Sequence, residues 1–436
     1  MSIEFNFKEY SAVLASIIID NLEKAKKPIV IGIHGEWGSG KTTLLEEIAK
    51  EVEVSNKKSL DSEQVIFPIK FNAWRFEKEK HLIVPLLKTL YYELERLKLE
   101  DCHEEYTTLQ KIKDGLFSII SGIEIEFEIG FAQAKYTGKE SVEHAEKRYS
   151  QRKKEKRETS NSFAKKYESI YFDIIRQIAK LTEDNNIRFL FLIDDLDRCL
   201  PENSVKMLEA IKLFLDINNC AFVMAIDKEV VELGVEYNYR DYKKINNRVP
   251  ITGNEYLEKM ITLPFLLPSI QKEKIREFIV NNHSHLFEDK EDLLELFCNT
   301  VPTIPRKVIR ALDLYHFKLR LNERLNTDIN KKIILIVSLI ELFIPELYRY
   351  VKKEFERDRE RDSETFIILI NSRNSIKSKD ESILNIEIEE ADVTEILKRF
   401  KESRNKFGIN SLLDYILEYD SFHQDLKSYY TFTKEF

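Results

Sequence analysis

The chain has 436 residues, enough for two or three domains rather than a single core. Its 68 lysines and arginines against 76 aspartates and glutamates leave a net charge of −8, which excludes a protein that coats nucleic acid with its whole surface but leaves local basic patches open. A hydrophobic share of 43% supplies ample core, and the scattered cysteines Cys102, Cys199, Cys220 and Cys298 lack metal-ligand spacing, as expected of a reduced cytoplasmic protein.

The first residues, Met1 to Phe5, lack the apolar stretch of a signal peptide. From about Phe7 to Lys26 the pattern predicts an amphipathic helix, with Tyr10, Val13, Leu14, Ile17 and Ile18 at helical spacing. Next, a β-branched run from Pro28 to His34 enters the glycine-rich stretch Gly35-Glu36-Trp37-Gly38-Ser39-Gly40-Lys41-Thr42-Thr43, which a helical pattern from Leu44 leaves. A second β-run, Val65 to Phe71, leads into Asn72-Ala73-Trp74-Arg75-Phe76, and His81 to Leu99 is helical in pattern. The stretch from about Asp101 to Ser162 reads as an insertion. It holds a period-2 alternation, Ile123 to Ile129, and a basic run from Lys147 to Arg157, a solvated face or arm with only a weak nucleic-acid signal.

Ile187 to Ile193 is continuously apolar, as a central parallel strand covered on both faces should be, and ends in Asp194-Asp195-Leu196-Asp197-Arg198. A helix follows from about Glu202, with Val205, Leu208, Ile211 and Leu215 on one face. Cys220 to Ile226 then repeats the strand pattern and stops at Asp227. After Pro264 and Pro268 the β signal fades, and the rest is helical in pattern, with a charge-dense face at Lys352 to Arg361. No run reaches transmembrane length. The nearest, Ile333 to Ile344, is interrupted by Ser338 and Glu341 and reads as a buried core helix.

Strands alternating with helices give an α/β fold, an open, mostly parallel sheet with helices on both sides. Gly35 to Thr43 fits the P-loop pattern Gly-x-x-x-x-Gly-Lys-Thr in its strand–loop–helix setting. Backbone N–H groups must turn inward to cradle phosphate, which glycine permits, and the following helix directs its positive end at the anion. Lys41 would reach the β- and γ-phosphates and Thr42 would ligate Mg2+, so ATP with Mg2+ is the expected ligand. GTP is less favoured, since no Asn-Lys-x-Asp tetrad follows the Cys220 strand. Ligands of such sheets sit at the carboxyl ends of strands, where Asp194, Asp195 and Asp227 also fall. Asp194 is placed to hold Mg2+ through water. Asp195, ahead of Asp197, is the candidate to orient the attacking water. Asp197 and Arg198 have the alternatives of pairing with each other or capping the next helix. Asp227 either senses the γ-phosphate or caps the helix after it. Trp37 is expected to pack against the base of the loop.

These residues carry a family resemblance. The P-loop stretch, Phe71-Asn72-Ala73-Trp74-Arg75, the run from Phe191 to Cys199, Phe222 to Asp227, Tyr256 to Pro264 and Ile304 to Arg310 together resemble the KAP family of P-loop NTPases, over roughly residues 8 to 315. The resemblance implies an ASCE-type ATPase, in which a further strand separates the Walker B strand from the P-loop strand. By position it implies Asp194 as the magnesium aspartate, Asp195 as its acidic partner, Asp227 as the sensor, and Arg306 as the lid arginine approaching the γ-phosphate. The bare residues equally allow Arg306 to be a surface side chain. Many members carry transmembrane helices between the P-loop and Walker B; here a polar insertion occupies that interval, so no membrane span is expected. Soluble prokaryotic relatives are linked with anti-phage defence alongside separate effector proteins.

The expected organisation is residues 1–100 and 166–268 as the NTPase core, 101–165 as the mixed insertion with its basic run, 269–320 as a helical lid and 321–436 as a C-terminal helical domain. The expected activity is an ATP-driven switch or oligomeric assembly platform regulating an effector. Arg240 and Arg248 are candidates by position only for an arginine donated to a neighbour. The alternatives are a nucleic-acid-binding ATPase using the 147–157 run, and a nucleotide-binding scaffold with little hydrolysis.

Overall fold

The computed structural model describes residues 7–25, 28–58, 65–79, 83–96, 176, 179, 187–212, 217–240, 252–287, 290–345, 347–349, 351–352, 408, 411–412, 415–416 and 418–433. The expected insertion with its alternating segment and basic run, Leu215, Arg248 and the charge-dense face beyond Lys352 lie outside the described residues. The chain divides into two compact units, Asn6–Trp37 with Lys41–Leu267, and Pro268–Phe436 with Gly38–Gly40.

The first unit is built on five parallel strands: β1 (Ile29–His34), β2 (Val65–Asn72), β3 (Ile187–Asp194), β4 (Cys220–Ile226) and β5 (Leu263–Leu266), in the order β2-β3-β4-β1-β5. The loop-bearing strand β1 and the aspartate-bearing strand β3 are therefore separated by β4, which pairs with both. Every residue of β1 and β4 is buried, the physical counterpart of their continuous apolar runs. Phe191 and Phe222 stack across β3 and β4 with centroids 5.0 Å apart and rings 7° from parallel. The register sets Asn72 beside Asp194 and His34 beside Ile226, so the loops that leave these strands emerge at one edge of the sheet.

The short strand β5 is not among the strands that the sequence predicts, although the β signal fades only after Pro264 and Pro268. It lies at the sheet edge, paired only with β1, where proline's missing N–H costs no ladder bond. Thr262 N–H donates to Val30 O at 2.8 Å and Leu267 N–H to His34 O at 2.8 Å, fixing both its ends.

Helix α1 (Phe7–Asp20), continued by a π-turn over Asn21–Ala25, packs on α2 (Lys41–Lys58). Its buried stripe is Phe7, Ser11, Leu14, Ala15 and Ile18, whereas Val13 and Ile17 are exposed. The expected apolar face is thus corrected. Its residues span a wider arc than one helix contact covers, and the stripe through Leu14 and Ile18 takes the contact. Helix α3 (Ile83–Arg96) follows β2; α4 (Pro201–Lys212) buries Val205, Leu208 and Ile211; α5 (Lys228–Asn238) follows β4; and α6 (Gly253–Glu258) is closed by a capping box between Thr252 and Glu255.

The second unit is helical: α7 (Lys272–His283), α8 (Glu291–Thr300), α9 (Pro305–Arg324), α10 (Lys331–Phe343) and α11 (Phe422–Thr433). Residues Ile333 through Ile340 of α10 are all buried, and Ser338 satisfies its hydroxyl on Ile334 O at 2.6 Å, so this segment is a core helix. Among the described residues no helix is long and apolar enough to cross a membrane.

Candidate functional site

The phosphate-loop candidate starts where β1 ends. Gly35 N–H donates to Ile226 O at the end of β4 (3.3 Å), tying the loop's first glycine to the neighbouring strand. Gly38 and Gly40 adopt φ of +89° and +104°, values that a Cβ disfavours, and the chain enters α2 directly at Lys41. Ser39 Oγ is buried without a hydrogen-bond partner. Lys41, only 7% exposed, donates from Nζ to Gly35 O (2.7 Å) and Glu36 O (3.3 Å) and pairs with Asp197 Oδ2 at 3.3 Å.

The acids at the end of β3 take distinct places. Asp194 is hydrogen-bonded to the Thr42 side chain, and its Oδ1 accepts Asp195 N–H at 2.9 Å. Burial raises its pKa above the ordinary 3.8; the Thr42 and Asp195 hydrogen bonds oppose that rise, and the neighbouring aspartates add to it. Asp195 sits in the left-handed region at φ 58°, ψ 26°, a conformation seldom taken by non-glycine residues. Its Oδ2 accepts Asn72 Nδ2–H at 2.7 Å, and its Oδ1 lies 2.7 Å from Arg198 Nε. Asn72 is also the N-cap of the 3-10 turn Ala73–Phe76, its Oδ1 accepting Arg75 N–H at 3.1 Å. Asp197 accepts Asp227 N–H at 2.9 Å on the same Oδ2 that faces Lys41. Asp197 and Arg198 therefore pair neither with each other nor with the next helix.

Asp227 is the N-cap residue of α5 by position, without a side-chain capping bond. His34 is buried at the end of β1; burial first, then the charges of Lys228 and Lys41, lower its pKa from 6.5. Trp37 does not pack against the base of the loop as expected: it is 65% exposed, and the Arg198 guanidinium lies over its ring at 5.7 Å. Glu36 follows the loop's first glycine and contributes its carbonyl to Lys41, and Thr43 is the third residue of α2. Arg306 belongs to the second unit, at the second position of α9, and its N–H donates to Gly38 O (3.3 Å) within that unit. Arg240 stacks on Tyr237, 3.7 Å from the ring centroid.

The sheet thus brings Lys41, Thr42, Asp194, Asp195 and Asp197 together. Asn72 and Arg198 are further members: the sequence assigns Asn72 no role, and for Arg198 it offers only Asp197 or the next helix as partner. The register of β2 on β3, with Asn72 opposite Asp194, is what brings Asn72 in.

The profile of the KAP family P-loop domain matches residues 7–336 of this chain. The chain belongs to the KAP family. A parallel sheet with β4 between the loop strand and the aspartate strand is the fold of this KAP protein. An uncharacterised protein of Methanocaldococcus jannaschii is 27% identical over 173 residues, covering 34% of this chain and 84% of that protein. Among solved structures, the Aeropyrum pernix ORC1 protein in complex with DNA is 12% identical with a TM-score of 0.38, covering 96% of this chain and 94% of that one. The Aeropyrum pernix ORC2 protein, solved as ADPNP–ADP complexes, is 14% identical with a TM-score of 0.37, covering 76% and 67%.

The residues present suit a Mg–nucleotide. The contact between Thr42 and Asp194 joins one hydroxyl and one carboxylate, a sparse protein ligand set of the kind Mg2+ takes when phosphates and water complete its shell. The Lys41 ammonium supplies a cation at the start of α2, beside the Thr42 hydroxyl.

Proposed function

We propose that this KAP protein is a Mg-dependent ATPase that works as a nucleotide-driven switch or assembly platform. The observation that carries this reading is the junction at the end of β3, where Thr42 meets Asp194 while Lys41 meets Asp197. Phosphoryl transfer needs positioning and charge neutralisation more than covalent chemistry, and this junction offers both.

Lys41 would exchange its loop carbonyls for phosphate oxygens, and Asp197 keeps its ammonium at the mouth of the loop. Thr42 and Asp194 would hold Mg2+, which when bound neutralises phosphate charge. Asp195 would orient the attacking water, and Asn72 fixes its carboxylate. Asp227 would read the γ-phosphate from the end of β4, and the family resemblance alone proposes a like role for Arg306. Homo-oligomerisation and control of a separate effector in anti-phage defence belong to the same proposal, supported by the resemblance alone.

Phosphate release from ATP with and without Mg2+, compared among wild type, Lys41→Ala and Asp195→Asn, tests the reading. Hydrolysis lost in both variants is the expected result. Wild-type release no higher than that of Lys41→Ala, even in a complex purified with its native partners, would sink it. Mass spectrometry of the same complex identifies the effector and its stoichiometry.

A further inference from the structure

The chain has two tryptophans, and both stand at this edge of the sheet: Trp37 in the glycine-rich loop and Trp74 in the 3-10 turn after β2. They are 65% and 51% exposed, so neither is explained by the core. Between them lies Arg198, whose guanidinium carbon is 5.7 Å from the Trp37 centroid and 5.6 Å from the Trp74 centroid. The same side chain reaches Asp195 Oδ1 at 2.7 Å. Arg198 therefore touches three elements: the loop through Trp37, the β2 turn through Trp74, and the β3 exit through Asp195.

The chemistry suits that role. A planar guanidinium stacks on indole faces while its N–H edge meets a carboxylate, a combination that the compact ammonium of lysine does not reproduce. Asp195 gains from such support, because its left-handed backbone, which aspartate tolerates better than most residues, is still uncommon outside glycine. Asn72 holds Oδ2 through a hydrogen bond, and the Arg198 Nε meets Oδ1 at 2.7 Å as a charge contact without hydrogen-bond alignment, so the carboxylate keeps lone pairs for a water. An ordinary exposed ion pair would lack both the aromatic bracket and the strained partner.

We propose that Arg198 is a positioning residue for Asp195, set in place by Trp37 and Trp74, so that the aim of the water-orienting acid is tied to the phosphate loop. This inference rests on the reading of Asp195 given under the proposed function. It makes Trp74, which lies outside the loop, a reporter of loop occupancy through Arg198.

The full-length chain tests it in two ways. In steady-state hydrolysis, Arg198→Ala should lower kcat by about 10- to 100-fold with the KM for ATP within about twofold, since a misplaced group about 1 Å from its proper position costs up to that much. Arg198→Lys should not restore the rate, and replacing both tryptophans by leucine should lower kcat without adding to the loss from Arg198→Ala. Unchanged or increased kcat, rescue by lysine, or a rise in KM alone would overturn the proposal. If wild type hydrolyses ATP and Arg198→Ala matches it, the inference fails while the ATPase reading stands. The second arm needs no hydrolysis. In a Trp37→Phe background, binding of a non-hydrolysable ATP analogue should change Trp74 emission, and Arg198→Ala should abolish that change while calorimetry shows affinity kept. Should Arg198→Ala not fold, Arg198→Gln serves in both arms. A Trp74 signal that persists without the arginine, or one that is absent with it while the analogue binds, would refute the coupling.

Discussion

Lys41 Nζ and Asp197 Oδ2 lie 3.3 Å apart, with both side chains less than a tenth exposed, and the same oxygen accepts Asp227 N–H at 2.9 Å. One carboxylate oxygen thereby joins the start of α2, the exit of β3 and the exit of β4. Desolvated charge pairs contribute little net stability as intact pairs, yet losing one partner is costly because the other charge stays buried.

Asp197→Ala should therefore destabilise the first unit by about 3 kcal/mol. The two loop carbonyls on Lys41 moderate the loss, and Asp197→Asn, which keeps an acceptor for Asp227 N–H, should cost less. Urea unfolding of the two variants checks the order.

Lys41→Met keeps most of the stem but removes the ammonium. Phosphate release should fall by about 10²- to 10³-fold, the usual cost of deleting one electrostatic contact to a transition state. A stopped-assay comparison at saturating ATP reads the kcat effect directly.

Asp194→Asn should be more heat-stable than wild type at neutral pH while losing Mg-dependent hydrolysis. Burial, the largest cause, lifts the Asp194 pKa above 3.8 in the folded chain. A raised folded pKa favours folding below the unfolded value, and that advantage is lost as pH rises through the folded one. As pH rises through the folded pKa the wild type takes on the cost of a buried carboxylate, which the asparagine does not. The gap in Tm between the two should close as pH falls towards 3.8. Calorimetry across that window measures it.

Asn72→Ala removes a cap on the 3-10 turn and a donor to Asp195 at once. The cap alone accounts for about 1 kcal/mol. Asn72→Asp keeps an acceptor for Arg75 N–H but sets a second carboxylate against Asp195, so both variants should lower kcat while only the aspartate retains the cap. Paired melting curves and rates separate the two effects.

Gly253→Ala should loosen α6 from α5, because a Cβ there would stand 2.5 Å from Glu232 Cα and 2.6 Å from its carbonyl oxygen. Backbone cannot yield as a side-chain tip does, and a loss of about 1–3 kcal/mol is expected by urea titration.

Much of this architecture is legible along the chain. The unbroken apolar runs at Ile29–His34 and Cys220–Ile226 are strands buried throughout, and the glycines at 38 and 40 fall where φ turns positive. The four-residue strand β5 is not legible, because it is short, carries Pro264 and exists only by pairing with β1. Nor is the buried face of α1: Val13 and Leu14 are both apolar, and only packing in the folded chain leaves Val13 exposed and Leu14 buried.

By itself, the sequence determined the loop, the order of the first four strands and the helices between them, and the acids at strand ends, since each depends on local backbone freedom or on the periodicity of burial. Tertiary structure alone decided which acid meets which cation. The left-handed turn at Asp195 sends Asp197 to Lys41 and Asp195 to Arg198, and the β2–β3 register delivers Asn72 across 123 positions of chain. Such pairings depend on where a side chain ends in space, and a spacing of one or two residues along the chain leaves that open until the strands are in register.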